Sequence, residues 1–142
     1  MLNLELRSPL IFEKADNSPE ELREMNQSFN INNEFLLCYE INSRESRSIE
    51  PDREHYLMNL ESIGRKSSSP FENNSEKTSL PAGKYLFSQI RGVSPLGREE
   101  WLDMAIEQQK DGLWERYKPG NLLYIRFLYE EGKYVTQVFR SL

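Results

Sequence analysis

The chain has 142 residues, a formal net charge of −5 and a single cysteine, Cys38. This length fits one domain, the negative charge disfavours a dedicated nucleic-acid binder, and a lone cysteine excludes an internal disulfide and a multi-thiolate metal site. No stretch approaches the roughly eighteen apolar residues of a membrane-spanning helix, and the first residues lack a signal-peptide pattern. We therefore expect a cytoplasmic protein with neither a membrane nor a nucleic-acid partner.

The first half of the chain predicts a strand, a helix and two further strands. Leucines alternate with polar residues from Leu2 onward, which predicts a half-buried strand to about residue 15, with Pro9 at an edge or bulge. Ser18-Pro19-Glu20-Glu21 has the N-cap serine and first-turn proline of a helix start. The apolar run 34–41 then predicts a central strand, and residues 54–63 predict a second, less regular one.

The second half repeats this order after a polar stretch. Residues 65–79 are rich in serine, asparagine and charge, which predicts an exposed linker. A strand over 84–90 is followed by a helix, and two strands over 122–129 and 133–139 are joined by a short turn containing Gly132. Gly112 is a candidate end for the helix, and continuation beyond it is the alternative.

The repeated order predicts an α+β fold for one domain. Its first strand-helix-strand-strand module covers about residues 1–64, the linker about 65–79, and the second module about 80–142. Two modules packed side by side predict a cleft at the seam between their sheets.

Few residues suggest catalytic chemistry. His55 is the only histidine, and no glycine pattern marks a phosphate site, so we expect no catalytic residue, no metal and no cofactor. Glu40 is the remaining candidate because it lies in a strand between Tyr39 and Ile41. A carboxylate in that setting either anchors a cationic or polarised ligand or points to water.

Aromatic residues are the more informative group. Most of them must form the core, but tyrosine and tryptophan also suit a cleft that stacks flat organic molecules. The candidate ligand-binding residues are the polar anchor Glu40 and five aromatic lining residues, Tyr85, Phe87, Trp101, Tyr124 and Phe127.

The stretch Leu80-Pro81-Ala82-Gly83-Lys84-Tyr85-Leu86-Phe87 resembles the GyrI-like family, a small-molecule-binding domain also found as the effector-binding half of bacterial multidrug-responsive transcription regulators. Trp101, the strand 122–129 and the closing residues 137–142 follow in the family's order. The resemblance implies two modules in pseudo-twofold arrangement, with antiparallel sheets around a central cleft for aromatic or amphipathic molecules. Ile125 stands where the family commonly has a glutamate, so the resemblance does not carry over cation binding or ring hydrolysis unless Glu40 supplies the carboxylate.

Three functions follow from these patterns. The first is a stand-alone binding module, without enzyme activity, for a small aromatic or amphipathic molecule. The alternative is an interaction or inhibitory module that acts on a cellular protein partner through its acidic surface. The third is a hydrolase of strained-ring electrophiles that depends on Glu40.

Overall fold

The computed structural model describes residues 2–15, 33–41, 56, 58–67 and 76–142. Within these ranges the chain forms eight β-strands and one α-helix. Their bounds are β1 (Leu2–Leu6), β2 (Leu10–Ala15), β3 (Asn33–Ile41), β4 (Met58–Ser67), β5 (Lys77–Leu80), β6 (Gly83–Gly92), α1 (Arg98–Trp114), β7 (Leu122–Glu130) and β8 (Lys133–Ser141). The strands form one antiparallel sheet in the order β1-β6-β8-β7-β3-β4-β2-β5.

The predicted α+β fold of two strand-helix-strand-strand modules is wrong. The described chain is mostly antiparallel sheet, and both halves contribute to the same sheet, because β3 of the first half is hydrogen-bonded directly to β7 of the second. No seam between two sheets exists there to form the expected cleft. Period-two alternation identifies strands but does not specify their partners, which is why the pattern misassigned the architecture.

Three segments of the prediction fall wholly or partly outside the described residues. Of the predicted strand 54–63, residues 54, 55 and 57 lie outside them, and 58–63 belong to β4. The helix expected from Ser18 lies outside them. So do residues 68–75 of the expected linker, whereas 65–67 continue β4 and 77–80 form β5.

The sheet must curl because short links join strands that are far apart in its order. Residues 7–9 connect β1, the first strand in the order, to β2, the seventh. Six strand spacings in a flat sheet are about 29 Å, whereas this link spans about 14 Å at most. The two-residue link Pro81-Ala82 imposes the same constraint, because it joins β5, the last strand in the order, to β6, the second. The two ends of the sheet are therefore drawn toward each other into a curled half-barrel.

The curl gives the sheet an inner and an outer face, each with its own apolar cluster. The inner cluster receives side chains from both ends of the sheet as well as its middle, and its buried members are Phe12, Leu36, Cys38, Leu80, Tyr85, Tyr124 and Phe139. On the outer face, buried residues of β3, β4, β7 and β8 join Trp101, Leu102 and Ala105 of α1. Burial of these two clusters is the main contribution to folding.

Helix α1 covers part of the outer face. Glu99 and Glu100 lie in its first turn, where the helix dipole favours negative charge. Gly112 does not end the helix, which continues to Trp114 as in the alternative prediction. A Cβ at Gly112 would lie 2.6 Å from Leu86 Cδ1, so the glycine permits close contact between helix and sheet. This helix, the one that the described residues form, is not both long and apolar enough to cross a bilayer.

The β7–β8 hairpin has the turn that the sequence predicted. Its central residues, Glu131 and Gly132, have φ angles of 52° and 80°. Two consecutive positive φ values are typical of a type I′ turn, whose twist matches that of the flanking strands. The hairpin prediction is therefore confirmed.

Gly64 allows side chains of neighbouring strands to pack closely on the inner face, so a substitution there tests how tightly the sheet curls. A Cβ at this position would lie 2.7 Å from Phe12 Cβ and 2.8 Å from Thr78 Cγ2. We expect Gly64→Ala to lower the free energy of unfolding by about 1–3 kcal/mol through overpacking, measured by urea denaturation. Gly92→Ala is the control, because its nearest contact would be 3.8 Å away. Equal stability of the two variants would contradict the tight closure.

Candidate functional site

The inner face carries two adjacent rows of side chains across four neighbouring strands, β3, β7, β8 and β6. The first row, here called the aromatic row, consists of Cys38, Tyr124, Phe139 and Phe87, which are consecutive register partners. The second row lies beside the first, two residues away on each strand, and consists of Leu36, Arg126, Gln137 and Gln89. Two residues of strand separate the rows by about 7 Å.

The aromatic row packs as an edge-to-face cluster together with Tyr85. The Tyr85 ring lies 6.0 Å from that of Tyr124 and 5.8 Å from that of Phe139, both nearly perpendicular. Phe87 lies 5.0 Å from Phe139 and is only partly buried. Such contacts favour a fixed arrangement of the rings, and the exposed part of Phe87 is available to a further ring.

Three members of the second row, Arg126, Gln137 and Gln89, form a hydrogen-bonded polar ladder with Glu34, which lies two residues beyond Leu36 on β3. Arg126 Nε donates to Glu34 Oε2 at 2.9 Å, and Arg126 Nη1 donates to Gln137 Oε1 at 3.1 Å. Gln137 Nε2 then donates to Gln89 Oε1 at 3.0 Å. The side chains of Arg126 and Glu34 are only 19% and 20% exposed, so their pairing is less screened than a surface ion pair.

Burial keeps the nearby titratable groups in their neutral forms. Desolvation raises the pKa of Tyr124 well above its ordinary value, and the neighbouring Cys38 and Tyr85 raise it further. Desolvation likewise raises the pKa of the Cys38 thiol, against the smaller opposing effect of its hydrogen bond with Tyr124. A protonated, buried thiol is a poor nucleophile. The site is therefore arranged for contact and hydrogen bonding.

The predicted site residues are divided between the two faces of the sheet. Tyr85, Phe87 and Tyr124 lie together on the inner face. Trp101 and Phe127 belong to the outer cluster, where the Trp101 ring lies 5.4 Å from that of Tyr39 beneath α1. The structure therefore brings three of the five aromatic candidates together.

Glu40 is exposed and lies two residues from Cys38 in β3, where its charge adds to the effect of desolvation in raising the pKa of the Cys38 thiol. It pairs in register with Leu122, and three strand spacings, about 14 Å, separate its strand from that of Tyr85. Ile125 is fully buried on the outer face. Glu40 therefore lies near the Cys38 end of the aromatic row, about three strands away from Tyr85 and Phe87.

Sequence reasoning did not identify the polar ladder. Arg126 and Gln137 are polar residues inside otherwise apolar strands, and Arg126 is part of the run 122–129. A charged residue at such a position either faces solvent or has a partner on its own face of the sheet. Only the pairing of β7 with β8 shows that Gln137 is that partner.

Neither a set of metal ligands nor a similarity to known proteins indicates what the inner face binds. In the described part of the chain, no group of three or more His, Cys, Asp or Glu side chains is arranged to hold a metal ion. Comparison with known proteins finds no match, either among protein-family models or among curated proteins. The chemistry of the inner face is therefore the basis for a functional proposal.

Proposed function

We propose that the inner face binds small aromatic or amphipathic molecules. The observation that supports this is the position of the polar ladder about 7 Å from the aromatic row on the same face, in which Phe87 is partly exposed and the other members are buried. A ligand of this class contacts Phe87 with its ring and the ladder with its polar end. A few polar groups beside an aromatic surface are typical of small-molecule sites.

The N–H donors of Arg126 in the ladder favour a ligand whose polar end accepts hydrogen bonds. Arg126 lies in the row next to Tyr124 and Phe139, whereas its partner Glu34 lies further from the rings. A guanidinium recognises carboxylate and amide oxygens through parallel N–H donors. We therefore propose neutral or anionic ligands in preference to cationic ones.

The GyrI-like resemblance supports the same class of ligand. The Lys84-Tyr85-Leu86-Phe87 stretch that carries it lies in β6, and its two aromatic residues both belong to the inner cluster. The usual glutamate is absent at Ile125, and the following residue, Arg126, places a guanidinium paired with Glu34 on the inner face. A preference for anions rather than cations is the expected consequence.

A matched set of ligands tests the proposal. Aromatic compounds with one shared ring system and either a carboxylate, an amide or an ammonium group would be titrated into the full chain, with binding followed by calorimetry and by backbone amide shifts. We expect carboxylate and amide compounds to shift the amides of Phe87, Gln89 and Gln137. We expect Arg126→Gln to weaken carboxylate binding about 10–100-fold, since a charge-assisted hydrogen bond contributes about 1.5–3 kcal/mol.

Arg98→Gln is the matched control, because it removes the same charge from α1 on the other side of the sheet. Its effect on binding should stay below about two-fold, because an exposed charge on the opposite side of the sheet from the ligand is largely screened by solvent and salt. Equal weakening by both arginine substitutions, or shifts confined to the outer face, would contradict a site on the inner face. So would stronger binding of the ammonium compound than of the carboxylate.

A further inference from the structure

A separate groove lies on the outer face between α1 and β6. Its volume is about 400 Å³, and its lining includes Ser88, Gln89 and Ile90 of the strand. The helix contributes the remaining lining residues, which are Glu100, Asp103, Met104, Glu107, Gln108 and Asp111. The lining therefore has an apolar part, formed by Ile90 and Met104, and a strongly acidic flank.

The acidic flank follows one side of the helix. Glu100, Glu107 and Asp111 are exposed and recur at intervals of seven and four residues. Along the helix axis these intervals are about 10.5 Å and 6 Å. The described residues hold no metal-binding arrangement of carboxylates, so the acids are spread along the groove rather than gathered at one point.

Gln108 provides a second, independent feature of the groove. Its side chain is 1% exposed, and its Nε2 donates to Val138 O at 3.1 Å and to Ser88 Oγ at 3.2 Å. A backbone carbonyl only accepts, so these bonds fix the orientation of the amide. Its Oε1 then has no hydrogen-bond donor among the described residues. A buried carbonyl oxygen without a donor is unfavourable. This oxygen has almost no exposed surface, so a ligand N–H removes that cost only by displacing a neighbouring side chain of the groove.

The neighbouring edge of β6 adds further acceptors. Pairing with β1 ends at Leu2 and Phe87, so residues 88–92 have only β8 beside them in the described part of the sheet. Leu142 N donates to Lys84 O, which places the backbone groups of even-numbered β6 residues toward β8. The backbone groups of Gln89 and Arg91 therefore face outward at this edge.

We propose that this groove binds a linear organic polyamine. Ammonium groups separated by four methylenes are about 6 Å apart in an extended chain, which matches the spacing of Glu107 and Asp111 along the helix. The methylenes contact Ile90 and Met104, and one N–H donates to Gln108 Oε1. Gln89 belongs to both the groove lining and the inner-face ladder, but α1 and the aromatic row lie on opposite sides of the sheet.

Calorimetry of the full chain with spermine, spermidine and putrescine tests the proposal. We expect affinity to increase with the number of nitrogens, and Glu107→Gln/Asp111→Asn to weaken spermine binding about ten-fold or more. Spermine with fully methylated nitrogens keeps its charges but has no N–H, so it should bind about ten-fold more weakly and leave the Gln108 side-chain amide resonance unshifted.

The control is Glu115→Gln/Glu131→Gln, which changes the net charge equally at two exposed residues outside the groove. We expect it to change spermine affinity less than about two-fold. Equal loss in the two double variants would show diffuse attraction to an acidic protein and overturn the proposal. Undiminished binding of the methylated compound would overturn the role of Gln108.

Discussion

Raising the pH above about 11 is expected to unfold the protein, because four of its tyrosines are buried as neutral phenols. Desolvation raises the pKa of Tyr39, Tyr56, Tyr85 and Tyr124 above the ordinary value of 10.0, and it also raises that of Cys38 above 9.0. In Tyr56 the nearby Arg140 opposes this effect without cancelling it.

The sign of the pH effect follows from proton binding. Above pH 10 the unfolded chain releases phenolic protons that the folded chain retains, so stability present below pH 10 decreases as the pH rises. Each such phenol lowers the free energy of unfolding by up to about 1.4 kcal/mol per pH unit, and four together by up to about 5. Domains are typically stable by about 5–15 kcal/mol, so the unfolding transition is expected about one pH unit or more above pH 10.

Two simultaneous measurements check this expectation. Phenolate absorbance should rise together with the loss of far-ultraviolet circular dichroism, because the buried tyrosines ionise only as the sheet opens. Tyr124→Phe provides a sharper comparison. Its free energy of unfolding relative to wild type should increase by up to about 1.4 kcal/mol per pH unit above pH 10, while at neutral pH the difference stays constant. A difference that does not change with pH would contradict neutral burial of Tyr124.

The local elements of this fold follow from sequence pattern more closely than its architecture does. The strand over 34–41 and the turn at Glu131 and Gly132 were predicted, because apolar runs and hairpin glycines act through neighbouring residues. Strand pairing depends instead on contacts between distant residues. The first predicted strand is in fact β1 and β2, which lie near opposite ends of the sheet order. No local pattern specifies that separation.

The candidate site shows the same limit. The sequence pattern put Tyr85 and Phe87 among the lining residues, and both lie on the inner face, since residues two apart in a strand share a face. It did not separate Trp101 and Phe127 from them, because the face that α1 covers is set by tertiary packing. The ladder partners Glu34 and Arg126 are 92 residues apart in sequence, so only their strands' pairing brings them together.

Arg140 is expected to be among the most important residues for stability, although it lies near the end of the chain. Its side chain is 1% exposed, and its Nε donates to Gly120 O at 2.7 Å. Its Nη1 donates to Tyr56 Oη at 2.6 Å and to Gln109 Oε1 at 2.9 Å, and Tyr56 itself donates to Gln109 Oε1 at 3.0 Å. One guanidinium thereby connects the end of β8 to α1 and to the loop before β7.

Arg140→Ala should lower the free energy of unfolding by about 3–5 kcal/mol, because it leaves several buried polar groups without their donor. Arg140→Lys keeps the charge but not the planar fork, and it should cost less than the alanine substitution. Arg91→Ala is the control, because its pair with Glu130 is 44% and 48% exposed and such pairs contribute about 0–1 kcal/mol. Urea denaturation at neutral pH measures all three. A loss at Arg140 no larger than that at Arg91 would show that the buried network does not hold the strand end to the helix.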